Sequence, residues 1–405
     1  MAWNLVKRLG RTCDLWVLTI DKNREAIEKA LEQGAMPGVQ FHFVGLPAWM
    51  TPLLHFAGGL HIYAYLWQWS AYFAARRLHR RVCFDLAHHL TYENDWMASI
   101  IGARLPVPYV RGPGGGAHRI PKAFVEQFSR RARLSELIRS FGQWVFRHDP
   151  FFYLGQRHAL VILACNHEAL KAIPRRWRDK GQLLSINGIS AEELAQPDSA
   201  PLPTARFQVL SAGRLVPLKG FDLALRAFKI FAKNHPEAEF TIVGKGPELP
   251  RLQNKIRELG LEGKAYIEEW MPRERLMGVM RACDVFIFPS LRDGGGLVVV
   301  EAMAAGKPVI CFDLGGPGLH INETCGFKIS ATSPELSVGE MASALARLAD
   351  DADLRCRMGH NAWQRAAEVY DWDRVSDRIV NVYAQAMGIK VLDPTRVATR
   401  ESISG

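Results

Sequence analysis

The sequence predicts an α/β protein with two doubly wound parallel sheets. Strand-like segments alternate with helix-like segments of about 10–15 residues in both halves of the 405-residue chain, which is the pattern of consecutive βαβ units. The strands of the second half are continuous apolar runs, such as VFIFPS at 285–290, typical of strands buried on both faces. A polar, proline-rich segment at 189–206 separates the two series, so we expect two domains joined there.

The second half gives the clearer order of elements. Its strands and helices are followed by a segment at 370–388 in which apolar residues recur at helical spacing. We expect strands at 207–213, 239–246, 265–270, 285–290 and 308–313, and helices at 220–236, 248–261, 272–284 and through Glu301.

The first half shows the same alternation more loosely, with an aromatic-rich helix at 60–75. We expect its strands at 14–20, 39–44, 83–91, 107–112 and 158–164. We therefore assign a first domain to 1–188, a linker to 189–206, a second domain to 207–369, a C-terminal helix to 370–388 and a loose, polar tail to 389–405.

The composition favours a reduced, cytoplasmic globular protein. Apolar residues make up 48% of the chain, enough for packed cores. The seven cysteines are scattered and include no C-x-x-C pair, which argues against a disulfide scaffold or a zinc protein. The sequence contains no convincing cluster of metal ligands, so we expect neither a metal nor another cofactor.

The net charge is +10, and most of it lies in the first half. Residues 1–200 hold 25 Lys and Arg against 16 Asp and Glu, whereas the remainder holds 26 against 25. Basic clusters at 76–81, 130–133 and 175–178 indicate either solvated helix ends or contact with lipid, acidic substrate or nucleic acid. They accompany no recognition motif, so we expect no nucleic-acid partner. The uncharged stretch 33–75 is broken by Pro and Gly, which favours a buried or membrane-facing helix over a membrane span.

A glycine triplet directly precedes a predicted helix that begins near Leu297. Bare amides at a helix N-terminus bind anions such as phosphate, and glycine leaves room for close approach. Asp293 lies just before the triplet and Glu301 lies about one turn into the helix, so both carboxylates can face the same ligand. The pattern therefore predicts a site for a phosphate-bearing ligand with hydroxyl groups. The triplet consists of Gly294, Gly295 and Gly296.

Two cations follow a predicted strand in the first part of the second half, as the glycine triplet follows a later strand. Arg214 and Lys219 follow the predicted strand 207–213 and precede a helix. Two fixed cations at the carboxyl edge of a sheet suit a diphosphate leaving group, a role otherwise often taken by a metal. The next strand ends in a turn with Gly244 and Gly246, which is equally typical of a ligand loop and of a packing turn.

Together these motifs resemble those of the family 4 retaining glycosyltransferases, the E-x7-E type of the glycosyl transferases group 1. The resemblance covers about residues 207–320 and is carried by four segments. The family pattern G-R-L-x-x-x-K-G corresponds to 213–220, V-G-x-G-P to 243–247, A-D-V-F-x-x-P-S to 283–290 with Cys283 in first place, and E-A-M-A-x-G-x-P-V-I to 301–310.

The resemblance implies the GT-B fold, in which two Rossmann-like domains face each other across a cleft and the C-terminal helix crosses back to the first domain. It implies transfer of a sugar from a nucleotide-sugar donor to a glycan or lipid-linked acceptor. The basic, aromatic first half then suggests peripheral attachment to the anionic inner face of the plasma membrane. By resemblance, Arg214 and Lys219 bind the donor diphosphate, Glu301 the ribose and the glycine loop the phosphates. Asp293, from its place before the glycines, meets the sugar, and the donor side is completed by Gly244, Gly246, Gly294, Gly295, Gly296 and Leu297.

Three positions depart from the family pattern. The first acid of the pair is Asp293 rather than Glu, which must approach the sugar more closely because it is one methylene shorter. Gly295 replaces the aromatic residue of the family's G-F-G turn, and Glu269 stands where the family usually has Gly. These departures bear on the identity of the donor more than on donor binding.

The first half resembles the family less closely. Segment 85–96 resembles the family's strand that ends in His, and segment 107–116 resembles the next strand, after which many relatives place a catalytic-site histidine. A glycine-rich loop occupies that region here, and its amides are candidates for binding sugar hydroxyls or phosphate on the acceptor side. The loop glycines are Gly114, Gly115 and Gly116, and the candidate imidazoles are His88, His89 and His118. We expect the catalytic residues to be Arg214, Lys219 and Asp293 together with His89.

The start of the chain also differs from the family. The family opens with a strand and a glycine-rich turn, whereas this sequence begins inside the helix that follows them. We therefore expect the first strand of the first domain to be missing, which would expose sheet edges. The missing strand favours one alternative to the transferase, a non-catalytic, truncated nucleotide-sugar-binding protein. A second alternative, independent of the missing strand, is a sugar-nucleotide epimerase of the same fold.

Overall fold

The structure, a computed structural model, describes residues 2–34, 36–55, 59–90, 94–194 and 206–389, and the side chains of these except at 54 and 55. The expected linker residues 195–205 and tail residues 390–405 lie outside the described residues. The described strands are β1 Leu15–Ile20, β2 Val39–Val44, β3 Ala87–His89, β4 Tyr109–Gly114, β5 Ala159–Ala164, β6 Gly181–Leu183, β7 Gln208–Ala212, β8 Glu239–Val243, β9 Ala265–Glu268, β10 Val285–Phe288, β11 Val309–Phe312 and β12 Gly326–Ile329.

Helices alternate with these strands in both halves, as the sequence predicts. The described helices are α1 Ala2–Leu9, α2 Arg24–Gln33, α3 Gly59–Val82, α4 Ile100–Arg104, α5 Lys122–Val125, α6 Arg130–Arg147, α7 Pro150–His158, α8 His167–Ala172, α9 Phe221–Phe231, α10 Leu249–Glu258, α11 Arg273–Ala282, α12 Leu297–Ala304, α13 Gly315–His320, α14 Pro334–Asp350, α15 Ala352–Tyr370 and α16 Trp372–Ala386.

The second half forms one six-stranded parallel sheet in the order β12-β11-β10-β7-β8-β9. Counted from its own first strand, this is the doubly wound order with its topological switch point between β7 and β10. Ligands of such sheets bind in the crevice at the carboxyl ends of the strands beside the switch point. The loops after β7 and β10 carry the predicted cations and the glycine triplet, so the topology brings both motifs to one edge.

Burial explains why these strands form. Every residue of β10 and β11 is buried, and helices cover both faces of the sheet. Phe228 of α9 packs on one face and Val299 of α12 on the other, each with no exposed surface. The five predicted strands of this half are confirmed with shorter ends. The structure adds β12, a four-residue strand with an outward Lys328 that the apolar pattern did not reveal.

The first half is divided into two parallel sheets. Strands β3-β4-β5-β6 form one and β1-β2 the other, and among the described residues no hydrogen-bonded pairing joins β1 to β3. A cavity of about 1140 Å³ lies between them, lined by residues that include Val17, Leu18 and Ala87. The predicted strand 83–91 is limited to Ala87–His89, because Cys83 takes a left-handed φ of 54° at the end of α3.

Helix α16 crosses from the second half back to the first. Its residues Trp372, Ile379 and Tyr383 share an apolar cluster with Val110 of β4 and Val161 of β5. Beside it the chain passes between the halves a second time, where the Ile189 amide donates to the Tyr370 carbonyl at 2.7 Å. The expected crossover helix is thus present.

Helix α3 extends the predicted 60–75 helix to 24 residues. Its buried side includes Tyr63, Ala71 and Tyr72, whereas Leu60 and Phe73 are exposed. None of the described helices combines the length and the apolarity that crossing a bilayer would require.

Candidate functional site

The predicted cation Lys219 and the predicted acid Asp293 meet at the switch point. Lys219 follows β7, Asp293 follows β10, and their side chains form an ion pair that is 12% and 22% exposed. Burial opposes the charge on Asp293, but the Lys219 ammonium and the amides of Gly295 and Gly296 outweigh it, so the pKa of Asp293 lies below its usual value. Asp293 is therefore an ionised, fixed carboxylate at neutral pH.

The glycine triplet turns the chain into α12, as expected. Gly296 caps the helix with a left-handed φ of 65°, and its amide donates to the Asp293 carboxylate at 2.7 Å. The amides at the start of α12 thus already face an anion, the chain's own carboxylate. Leu297, also predicted on the donor side, is the first residue of this helix.

Glu301 lies inside α12 with a side chain only 6% exposed, next to the half-exposed Arg273. Arg273 forms ion pairs with both Glu301 and Glu193. Burial raises the pKa of Glu301 above its usual value, although Arg273 acts in the opposite direction. Sequence reasoning missed Arg273 because it stands alone at the start of a helix, without a motif.

The remaining predicted donor-side residues differ in their surroundings: one is exposed to solvent and two are packed against the backbone. Arg214 is exposed, in the loop that follows β7. Gly244 and Gly246 pack against the chain that carries it, since a Cβ at Gly244 would lie 1.9 Å from the Gly213 carbonyl oxygen and one at Gly246 would lie 2.3 Å from that of Leu215. These two glycines have a packing reason that is independent of any ligand.

The two predicted glycine loops face each other across the cleft. A Cβ built on Gly294 would lie 4.0 Å from the Cα of Gly115 and from the amide nitrogen of Gly116. Gly114, the last residue of β4, packs on Asp95. The structure therefore brings the donor-side triplet and the acceptor-side loop into direct proximity.

Side chains from both halves hold the triplet in place. Asn166 donates to the Gly294 carbonyl at 3.0 Å, and Asn187 donates to the carbonyl of Gly295. His320 contacts the same Gly295 carbonyl, and its other ring nitrogen lies 2.7 Å from the Tyr370 hydroxyl. Sequence reasoning missed these three residues, because Asn166 and Asn187 lie more than a hundred positions before the triplet and His320 lies 25 positions after Gly295, so no local pattern links them to it.

His118 is buried beside the same loops. It is 7% exposed, and neither ring nitrogen has a hydrogen-bond partner among the described residues. Burial lowers the pKa of His118 to about 4, with Glu168 acting in the opposite direction. The His118 ring lies close to Gly315. A Cβ built on Gly315 would lie 3.6 Å from the ring and 2.2 Å from the carbonyl oxygen of Asp293.

The other two predicted imidazoles, His88 and His89, lie on β3. His88 bridges the Gly112 carbonyl and the Tyr383 hydroxyl of α16. His89 lies 3.0 Å from the Ser99 hydroxyl. Both line the cavity between the two N-terminal sheets, so the structure associates His118 with the glycine loops more closely than it does His88 or His89.

A charged contact spans the cleft next to Asp293. Arg292 pairs with Glu136 of α6, and its two terminal guanidinium nitrogens each donate to one carboxylate oxygen. The two side chains are 11% and 19% exposed. The sequence showed both residues only as members of charged segments. Among the described residues no group of three or more His, Cys, Asp and Glu has the arrangement of a metal site.

Comparison with known proteins finds similarity to glycosyltransferases. The model of the family described as "Glycosyl transferases group 1" matches residues 193–365. A relative named D-inositol 3-phosphate glycosyltransferase, from Streptomyces avermitilis, is 33% identical over 245 residues, which cover 56% of this chain and 52% of the relative. The chain thus spans about half the length of the curated relatives it matches.

Solved structures extend the likeness to the whole fold. HepE of Anabaena, crystallised with UDP and glucose, aligns with a TM-score of 0.61 at 19% identity, over 95% of each chain. A glycosyltransferase from Rickettsia africae aligns with a TM-score of 0.63 at 12% identity, over 95% of this chain and 94% of that one. At such identities the likeness shows the fold alone. The chain has the GT-B fold, with two Rossmann-like halves, and its residues 193–365 match the model of the glycosyl transferases group 1.

Proposed function

We propose that this chain is a retaining glycosyltransferase that moves a sugar from a nucleotide-sugar donor to a lipid-linked or polysaccharide acceptor. The observation that carries the proposal is the meeting of the loops 114–116 and 294–296 across the cleft, with the Lys219–Asp293 pair beside them. The family match over 193–365 supports the same reaction. HepE, of the same fold, binds UDP-glucose, so UDP-sugars are the first donors to test.

The proposed reaction exchanges one bond at the anomeric carbon for another on the same face of the sugar. The carbon–oxygen bond to the diphosphate breaks, the acceptor oxygen bonds to the carbon, and the acceptor proton passes to the leaving diphosphate. Arg214 and Lys219 stabilise the charge on that diphosphate, which is why we propose a reaction independent of metal. Lys219 is paired with Asp293 in the structure. When the donor diphosphate also contacts Lys219, the Asp293 carboxylate can accept hydrogen bonds from the sugar hydroxyls. Glu301 accepts hydrogen bonds from the ribose hydroxyls.

The acceptor side is assigned to the first half of the chain. His118 is the imidazole that we place there, because its two ring nitrogens lie buried without partners among the described residues and next to the loops. A buried polar group without a partner is costly, so a ligand hydroxyl that bonds to His118 would recover that energy. The amides of 114–116 are further candidates for acceptor hydroxyls.

Donor binding is tested first by thermal shift with a panel of UDP-, GDP- and ADP-sugars. We then expect Lys219→Ala and Glu301→Ala each to reduce transfer or donor hydrolysis at least about 100-fold, since each removes a contact to the charged donor. Lys328→Ala is the matched control, because this exposed lysine of the same half forms a surface ion pair with Asp313, away from the proposed donor contacts. Turnover that stays undiminished in both site variants would refute the assignment.

A donor-binding protein without turnover is the second candidate. The division of the N-terminal sheet by a large cavity favours it, because this half supplies the acceptor side. A thermal shift with a nucleotide-sugar, but no release of nucleotide with any glycan or lipid-linked acceptor, is the expected signature of this alternative. Epimerase activity would appear as an altered sugar nucleotide in product analysis.

A further inference from the structure

Helix α6 presents its apolar side to solvent. Six of its large apolar side chains are 45–68% exposed. At about 100° per residue they fill an arc of roughly 120° on one side of the helix. This is the reverse of an ordinary surface helix, whose apolar stripe faces the core. The six residues are Leu134, Leu137, Ile138, Phe141, Trp144 and Val145.

The polar side of α6 faces the protein and fixes this orientation. Glu136 pairs with Arg292 across the cleft, with one N–O distance of 2.8 Å. The Gln143 side chain donates to the Gly116 carbonyl at 2.9 Å, and Arg139 donates to the same oxygen. These bonds are satisfied only with the apolar arc pointing outward, so the exposure follows from specific partners on the inner side.

The exposed surface of α6 is apolar and cationic without a carboxylate. Arg130, Arg131 and Arg133 are exposed in its first turn. Glu136 is the sole acidic residue in the sequence of the helix, and it is turned inward to its arginine partner. A contiguous apolar face bordered by arginines and aromatic residues is the composition of helices that lie in the interface of an anionic bilayer.

A second copy of this chain fits the face less well. The exposed charges beside the apolar arc are cationic, with Arg130 and Arg131 at the start of α6. If two such faces packed together, neither helix would offer an exposed carboxylate to pair with the arginines of the other. The phosphate groups of an anionic lipid surface supply that missing charge, which is the complementarity that selects this partner.

We propose that α6 is a membrane-docking helix that lies in the plane of an anionic lipid surface with its six-residue apolar arc inserted. The same helix holds Gly116 of the acceptor-side loop and, through Glu136, the residue next to Asp293. Docking therefore sets the two loops of the cleft at a fixed distance from the lipid surface. Lipid binding needs no donor and no turnover, so it stands or falls separately from the transfer reaction.

Vesicle flotation of the full chain tests the docking helix. Vesicles of phosphatidylcholine with about one third phosphatidylglycerol should float the protein, and high salt or pure phosphatidylcholine should weaken binding markedly. The double variant Leu137→Glu/Phe141→Glu should lose at least about tenfold in bound fraction, because it places two carboxylates in the inserted arc. Arg130→Glu/Arg131→Glu should lose the preference for anionic vesicles.

The matched control is Leu336→Glu, since Leu336 is 59% exposed on α14 of the other half and should leave flotation unchanged. Circular dichroism and the thermal shift with a nucleotide-sugar verify that each variant is folded and show separately whether the donor site works. Equal flotation of the wild type and the Leu137→Glu/Phe141→Glu variant would overturn the proposal. So would a stable dimer that this variant converts to monomer while the wild type shows no vesicle binding.

Discussion

The two halves of the molecule use the same strand–helix alternation but pack it to different degrees. All residues of β10 and β11 in the second half are buried, whereas all residues of β1 are only partly buried. The second half has one continuous six-stranded sheet, while the described N-terminal strands form two sheets with a cavity of about 1140 Å³ between them. Residues that line a void lose the packing contacts of one side. The second half is therefore expected to be the more rigid support.

This difference matters because the candidate site draws on both halves. The triplet 294–296 and Lys219 rest on the continuous sheet, at its topological switch point. The opposing loop 114–116 begins at the last residue of β4, which belongs to the four-stranded N-terminal sheet. Its Gly116 contacts α6, and β4 packs against α16. The donor side is thus built on a closed core, and the acceptor side depends on helices that cover its loop.

The largest expected difference between the halves lies in the cost of removing an apolar side chain. Phe286 in β10 has no exposed surface and packs in a core cluster, so Phe286→Ala should cost about 3–5 kcal/mol in the free energy of unfolding. Leu18 in β1 lines the cavity and is partly exposed, so Leu18→Ala should cost about 1 kcal/mol or less. Urea denaturation followed by circular dichroism measures both values.

Ile230→Ala provides the baseline for a surface position, because Ile230 is 46% exposed on α9. It should change the unfolding free energy by less than about 0.5 kcal/mol. If Leu18→Ala costs as much as Phe286→Ala, the packing around β1 is as tight as in the second half. The contrast between the halves would then be wrong.

The difference in burial between the two halves also determined how much of each half the sequence could predict. Strands such as β10 are continuous apolar runs, and their positions follow from sequence alone. The proximity of Lys219 and Asp293 could also be inferred from the sequence, since both residues belong to motifs at the ends of strands. The contacts of Asn187 and His320 with the predicted residue Gly295 could not be predicted, because no motif or periodicity marks Asn187 or His320.

The first half resisted prediction for a related reason. The strand expected at 83–91 is short because Cys83 and the end of α3 interrupt it. Helix α6 has helical periodicity, but periodicity does not say which side faces the core. Here polar partners at Gly116 and Arg292, both distant in sequence, turned the apolar side outward. The basic cluster at 130–133 was visible, whereas the orientation of the apolar residues beside it was not.

A second prediction compares buried histidines from the two halves. Burial lowers the pKa of His118 and of His320 to about 4, from 6.5. Below pH 6.5 the unfolded chain therefore binds protons that the folded protein excludes, and stability falls as the pH drops toward 4. At pH 5 each histidine should cost about 2 kcal/mol. Urea denaturation at pH 7 and pH 5 measures the loss.

His118→Gln isolates the N-terminal share of this effect. The variant should lose less stability than the wild type between pH 7 and pH 5, by about 2 kcal/mol. Asp95 acts in the opposite direction in both proteins, since burial raises its pKa to about 6 from 3.8 and the folded state gains stability as the pH falls through this range. A pH dependence identical in variant and wild type would show that His118 titrates normally.

The smallest expected effect distinguishes the two facing glycine loops. A Cβ at Gly115 would lie 2.6 Å from the Cys165 sulfur, whereas a Cβ at Gly294 would have no neighbour closer than 3.7 Å. Gly115→Ala should thus cost about 1 kcal/mol by crowding the buried thiol, and Gly294→Ala less than about 0.5 kcal/mol. Since Gly294→Ala fits the folded chain, any loss of nucleotide-sugar binding measured in it reflects the ligand's need for a bare backbone. Full donor affinity in Gly294→Ala would mean that the donor does not approach this loop closely, and that the glycines serve the contact between the halves instead.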